Sequence, residues 1–479
     1  MNEIINALLK IIEKNNMSIY HLAKLTNINY SLLHKILHFD RKLKPDYFYK
    51  ILENLPIPVI EKNSLLDKYN RIFLGSDNYS MVNSINEILR QFSSISITIN
   101  NKLNLPSPDN FMNAYDKVTI CTGNELQYII NIALIEEMNK QFPEAYIYTP
   151  GNKKKIYLYI DNIVKLYKTD IKIRFMIDFL SNTVKTADNN NLKILNNIIP
   201  CALSDTQNYE FYYTYKDCIT NDSLTPYPYF IALSDSVICI NSTLDEALFI
   251  NDKATAKRYS SKCEGILKNY NKLIETSFDV FQAASNMTAG DYNATERICL
   301  EYEPCLFNFL TPEIINSLLV KDIPERDILL NIVYNEFSKF SNIKKNTYLF
   351  NKESLIEFAV TGFTNLCPRK FTRAATPEER KFVLDRLLIA IDSDNNIIRA
   401  LNPINFNVPV CRTVNLLDDY EMHFVIYFGD YENYKCIFLK EKSLIKCFYN
   451  FLSNLSSTNM VYSKEETKSF IEEAIASIE

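Results

Sequence analysis

The chain has 479 residues, 47% of them hydrophobic and 23% charged, with a formal net charge of −5 at pH 7. That composition excludes an intrinsically disordered protein and supports a large core shared by about two to four domains. No run approaches the roughly 18 uninterrupted apolar residues of a membrane span, and the opening MNEIINALLKII has no basic segment with a cleavage site, so a cytoplasmic protein without membrane contact is expected.

Glycine and cysteine narrow the chemistry further. Only 7 glycines occur, against roughly 34 at average usage, and the closest two, Gly265 and Gly290, are 25 positions apart. P-loops and dinucleotide fingerprints need clustered glycines so that backbone can approach phosphate, and neither can form here. A G-x-S-x-G nucleophile elbow is absent as well. The 11 cysteines are odd in number and dispersed in apolar runs such as Val118–Cys121 and Val237–Ile240, which reads as reduced core thiols.

The first elements carry the clearest functional signal. A leading helix over Asn2–Asn15 is followed by a short helix, Ile19–Thr26, which Ser18 can cap with its hydroxyl. Ala23 is small enough to let another helix cross closely, and Asn27 stands at the turn, where the left-handed region must be tolerated. Asn29 can cap the second helix, Tyr30–His38, in which Leu33, Ile36 and Leu37 share a buried face. Tyr30, Ser31, Leu32, His34 and Lys35 then face outward. Ser31 and His34 can reach base edges or phosphates, Leu32 can lie on a thymine methyl, and Lys35, Arg41, Lys42 and Lys44 can neutralise phosphates. A last helix begins at Pro45 and stops before Pro56.

This arrangement resembles the Cro/CI-type (XRE) helix-turn-helix family over the first 58 residues. The resemblance rests on the leading helix, the Leu22–Ala23 pair, the Asn27–Ile28 turn and the helix that follows. Asn27 replaces the family's usual glycine, and Leu37 stands where an acidic residue is common. The resemblance implies binding to double-stranded DNA through Ser18, Asn29, Tyr30, Ser31, Leu32, His34, Lys35, Arg41, Lys42 and Lys44, by a homodimer. Charge agrees: through residue 58 there are eight basic and five acidic residues, net +3, so the remainder carries −8 and only the head should touch nucleic acid.

A helical connector follows at 59–104, with Ile85, Ile88, Leu89 and Phe92 at helical spacing. That stripe needs a partner, either the chain's own body or a second copy. From Lys117 strands alternate with helices: Val118–Cys121, Asn124–Gln141, Ala145–Thr149, Ile156–Lys168 and Ile171–Ile177. A surface loop is expected at Thr186–Asn191, strands at Tyr209–Tyr215, Tyr229–Leu233 and Val237–Asn241, and a helix at Lys253–Glu275. The layout of 117–275 is similar in element order to phospholipase D-like sensor modules found behind bacterial helix-turn-helix domains. Enzymes of that family use an H-x-K motif with a histidine nucleophile, and this chain has no histidine between His38 and His423. The resemblance therefore implies a binding or scaffolding body.

The last part reads as helices at Pro312–Leu319, Glu325–Phe340, Lys352–Thr361, Pro377–Ile391, Lys442–Leu455 and Lys464–Ser477. Strands are read at Thr347–Phe350, Asn396–Leu401, Val410–Asn415, His423–Phe428 and Tyr434–Leu439. Thr376 and Ser463 are natural caps, each with glutamate three residues on. No internal repeat stands out. The fold class is α+β and multidomain: an all-α helix-turn-helix domain at 1–58, the connector at 59–104, an α/β sensor-like domain at 105–280 and a C-terminal α+β domain at 281–479.

Other candidate sites are weaker. His423 lies in an apolar strand and reads as a packed residue, and no cysteine spacing suits zinc. Asp392–Asn396 opens like a calcium loop, but Ile397 and Pro403 replace the glycine and glutamate it needs. The tyrosine-rich strand places Phe211, Tyr213 and Tyr215 on one face and Tyr212 on the other, either lining a pocket or edging a core. The expectation is a one-component regulator, a repressor, sensing a small-molecule or peptide effector. It has no catalytic residues, metal or cofactor and is not an enzyme. The alternative is a mobile-element immunity or antitoxin-like protein that binds a protein partner and regulates its own promoter.

Overall fold

A computed structural model of the chain describes residues 1–91, 117–149, 151, 154–167, 171–181, 183, 186–204, 209–217, 225–279, 294–323, 326–341, 343–364, 369–403, 412–428, 433–456, 458 and 460–478. The fold is α+β, an N-terminal helical region followed by helices layered on a 14-stranded mixed sheet. Among the described residues no helix is long and apolar enough to cross a membrane.

The helical region contains α1 (Asn2–Lys14), α2 (Ile19–Thr26), α3 (Tyr30–Leu37), α4 (Pro45–Asn54), α5 (Val59–Leu74) and α6 (Ser76–Gln91). Helices α1 to α5 share one core in which Leu8, Leu22, Leu33, Ile36, Phe48, Ile51 and Tyr69 are buried. Tyr69 of α5 stacks on Phe48, ring centroids 3.9 Å apart, and its hydroxyl donates to the Leu43 carbonyl at 3.1 Å. The fifth helix is thereby part of the head. After Gly75, at φ +79, α6 turns to the body instead, and Ile85, Ile88 and Leu89 join the main core.

The body begins with β1 (Val118–Thr122), α7 (Asn124–Met138), β2 (Glu144–Tyr148), α8 (Lys154–Tyr167), β3 (Lys172–Leu180), α9 (Ala187–Leu203) and β4 (Tyr209–Lys216). Next come β5 (Tyr229–Ala232), β6 (Val237–Ile240), β7 (Glu246–Ile250), α10 (Lys253–Leu267) and β8 (Asn271–Ser277). The chain continues through β9 (Glu296–Glu301), α11 (Pro312–Leu318), α12 (Arg326–Ser341), β10 (Lys345–Phe350), α13 (Glu353–Thr361), α14 (Pro377–Ala390) and β11 (Asn396–Ala400). It ends with β12 (Arg412–Leu417), β13 (Glu421–Phe428), β14 (Asn433–Leu439), α15 (Lys442–Leu455) and α16 (Lys464–Ala476).

Two expectations fail here. The stretch read as a loop at Thr186–Asn191 is the start of α9, because Asn191 turns inward and exchanges hydrogen bonds with the Leu180 backbone, donating at 3.0 Å and accepting at 2.9 Å. The helix read over Lys253–Glu275 stops at Leu267, and a turn at Asn269–Tyr270 leads into β8, which pairs with β4 and β14. Strands β7, β8 and β9 were not expected from the sequence. The pairing of β8 with β14 makes the sheet continuous from β1 to β11, in the order β1-β7-β6-β5-β2-β3-β4-β8-β14-β13-β12-β9-β10-β11.

That order holds an internal repeat invisible in the sequence. In residues 144–277, β2, β3 and β4 are parallel, β5 lies antiparallel beside β2, and β6 and β7 extend outward. In residues 296–461, β9, β10 and β11 are parallel, β12 lies antiparallel beside β9, and β13 and β14 extend outward. A helix follows in each unit, α10 or α15. Each unit closes with a segment antiparallel to its third parallel strand, β8 on β4 and the bridge of Val461 with Leu401 beyond β11. The crossover helices lie on opposite faces of the sheet. Helices α8 and α9 pack with α6, α7 and α15, whereas α13 and α14 pack with α16.

Candidate nucleic-acid interface

Local chemistry sets the geometry of α2 and α3. Ser18 sits in extended backbone and accepts from the His21 amide at 3.1 Å, so one free amide of α2 is satisfied. The helix ends at Asn27, whose left-handed conformation (φ 51, ψ 35) reverses the chain and lets the Ile28 amide donate to Ala23 at 3.2 Å. Asn29 then accepts from Leu32 at 3.3 Å and starts α3. With the turn fixed at both sides, Leu33, Ile36 and Leu37 are fully buried. The opposite face must point to solvent.

On that face Tyr30, Ser31 and Lys35 are exposed, while Leu32 and His34 are half-buried. Arg41, Lys42 and Lys44 follow, all exposed, in a bend that includes Phe39 at φ 66. Among the described residues Lys35, Arg41, Lys42 and Lys44 form no ion pairs, so their charge is available to an anionic partner. Sequence reading missed a second feature. Tyr20, Tyr30, His34 and His38 form a row of rings, with successive centroids 6.1, 5.9 and 4.1 Å apart, and the Lys24 ammonium lies 5.0 Å from the Tyr20 ring. Helical spacing at 30, 34 and 38 was the available signal. Ser18 and Asn29, two of the residues expected at DNA, spend a side-chain oxygen on their caps.

The stripe of Ile85, Ile88 and Leu89 covers the chain's own body. Gln91 donates to the Asn196 carbonyl at 3.2 Å and Ser80 to Asn189 at 2.8 Å, which ties α6 to α9. Phe92 and the rest of the connector to residue 104 lie outside the described residues.

In the body the tyrosine-rich strand is the edge of a core. Phe211 and Tyr213 are buried, Tyr209 donates to Asp161 at 3.0 Å, Tyr212 to Glu210 at 3.2 Å, and Tyr215 to Glu441. At the carboxyl ends of β2, β3 and β4, Asp178 accepts from Tyr148, Lys216 and Tyr270. That network satisfies itself.

A deeper polar group lies on β9, β12 and β13. The Arg297 guanidinium donates to Asn415 at 3.1 Å, and Cys299 donates to the same oxygen at 3.0 Å. Burial pushes the Glu301 carboxyl up to about 7, against the pull of Arg297. Burial and the nearby Arg297 charge hold His423 down at about 3. Its ring is therefore neutral, and the 3.9 Å separation from Glu421 is not an ion pair. His423 is a packed residue against Phe438, ring centroids 5.6 Å apart. The eight cysteines among the described residues are buried, and none of them forms a disulfide.

No family model and no curated protein matches this chain. Among solved structures, similarity is found to TrmBL2, an archaeal chromatin protein with a novel mode of DNA binding, at 13% identity and a TM-score of 0.22 over 33% of this chain. The chain spans about half, 55%, of the length of that protein. A second similarity is to phosphatidylserine synthase of Haemophilus influenzae Rd KW20, at 10% identity and a TM-score of 0.23, covering 75% of this chain and 91% of that one. At these scores neither likeness carries an activity to this chain. The expectation that the chain is no enzyme is withdrawn: a phosphatidylserine synthase is among the solved structures similar to it.

Proposed function

We propose that this chain is a one-component transcriptional regulator, a repressor, whose head reads double-stranded DNA with α3 and whose body receives a small-molecule or peptide signal. One observation carries the reading. Two short, capped helices joined at a left-handed asparagine leave the N-terminal end of α3 exposed, beside four cations without ion-pair partners. A recognition helix uses this geometry, with its first residues at base edges and neighbouring cations on phosphates. Ser31 and His34 would read bases, and Lys35, Arg41, Lys42 and Lys44 would hold the backbone. A head this small gains affinity by pairing, so we infer a homodimer on two half-sites about one helical turn apart. Its interface cannot use the Ile85 stripe, which the body occupies.

Footprinting on the promoter region of its own gene tests the reading. A protected duplex segment, bound more weakly by Lys42→Ala, is expected, with a salt dependence shallower by about one phosphate contact. An absence of protection at low salt would overturn it.

A further inference from the structure

The head and the body meet at a polar cleft of about 400 Å³, lined by Arg71, Tyr79, Asn83, Ser84, Glu87 and Lys193. Its volume falls in the range, roughly 300–1,000 Å³, of small-molecule sites. The lining comes from three elements with different allegiances. Arg71 is on α5, whose Leu65 and Tyr69 belong to the head core. Lys193 is on α9, whose Leu192 and Ile194 belong to the body core. Tyr79, Asn83, Ser84 and Glu87 are on α6, which leaves α5 at Gly75 and packs on the body.

Two cations of this cleft keep donors that no carboxylate among the described residues takes up. Arg71 lies over the Tyr79 ring at 5.0 Å and directs its Nε to Asp67 at 3.0 Å, leaving the rest of its guanidinium toward solvent. Lys193 forms no ion pair among the described residues. The carboxylate in the lining, Glu87, is occupied by the Asn196 amide at 2.5 Å. The outer nitrogens of Arg71, whose Nε is held by Asp67, and the ammonium of Lys193 therefore remain as donors for an anion, while the lining carboxylate already has a donor of its own.

We propose that this cleft binds a small hydrophilic oxyanion, a phosphate- or carboxylate-bearing metabolite, held between Arg71 of the head and Lys193 of the body. Resting on the regulator reading, its consequence is control. An anion bridging the two cations fixes α5 relative to α9 across Gly75, and so fixes the direction in which α3 points. The ligand would then change operator affinity by favouring one orientation of the head, to the extent that it binds that orientation better.

Titration calorimetry of the full chain in phosphate-free buffer tests the site without DNA, using inorganic phosphate in one arm and citrate in the other. Saturable binding of at least one anion is expected, and the arm that binds tells phosphate from carboxylate chemistry. Lys193→Ala and Arg71→Ala should each weaken it about tenfold, a charge-assisted contact being lost in each. Both side chains are largely exposed, so folding is retained, and circular dichroism verifies it. Failure of both anions to bind the parent, or unchanged affinity in both variants, overturns the site. Operator affinity is then measured with and without the bound anion. A several-fold change supports control, an unchanged value with intact anion binding removes it, and anion binding without any DNA binding sinks the regulator reading while the site stands.

Discussion

Asn27 is the residue on which the geometry of the head turns, and its replacement gives a quantitative check. It is exposed, so substitution there changes no packing, and its φ of 51 and ψ of 35 place it in the left-handed region. An L-residue in that region costs roughly 1–2 kcal/mol, less for asparagine, whose short side chain bonds locally. A β-branched residue bears the whole cost. Asn27→Val should therefore destabilise the α2–α3 unit by about 1–2 kcal/mol, a five- to thirtyfold rise in local opening. Asn27→Gly relieves the strain but loosens the unfolded chain, and the two effects nearly cancel. Hydrogen exchange read on peptides spanning α3 measures this opening directly, without melting the body. Faster exchange at Leu33 and Ile36 in the valine variant, with the glycine variant close to the parent, is expected. Equal exchange in valine and glycine variants would refute the left-handed turn and with it the orientation of α3.

Tyr69→Phe should cost about 1 kcal/mol by stripping the Leu43 carbonyl of a buried donor, seen as faster exchange across α4 and α5; an unchanged rate would place the ring elsewhere. In the body two buried groups oppose each other in pH. Glu301, up at about 7 against an ordinary 4.5, contributes stability that is full below 4.5 and lost as pH rises through 7. His423, down at about 3 against an ordinary 6.5, contributes stability that is full above 6.5 and lost as pH falls toward 3. Glu301→Gln should thus melt lower relative to the parent at about pH 5 than at about pH 8, since only the parent gains from the protonated carboxyl on acidification; parallel calorimetric profiles would count against the Glu301 assignment. Light scattering should report a dimer at micromolar concentration, and a monomer both free and on DNA would remove the half-site argument.

The head was legible because its signals are local. Caps at Ser18 and Asn29 and the spacing of Leu33, Ile36 and Leu37 fix α2 and α3 within a residue of their observed limits. What the sequence concealed depends on distant partners. Asn191 reads as a loop residue until Leu180 is beside it, and β8 reads as the tail of a helix until β4 and β14 flank it. The repeat of residues 144–277 in 296–461 survives in strand order alone, since β5 and β12 share a place but not a pattern. The cleft at Arg71 and Lys193 is assembled from residues more than a hundred positions apart, and no spacing could have announced it.

Selection of bound duplexes from a random library tests the central claim most directly, with parent and Ser31→Ala/His34→Ala proteins compared at one salt concentration. The account predicts that the parent enriches two related half-sites and that the double variant retains binding but loses preference at the bases under the start of α3. Enrichment of the same sequence to the same degree by both proteins, or none by the parent, would contradict it.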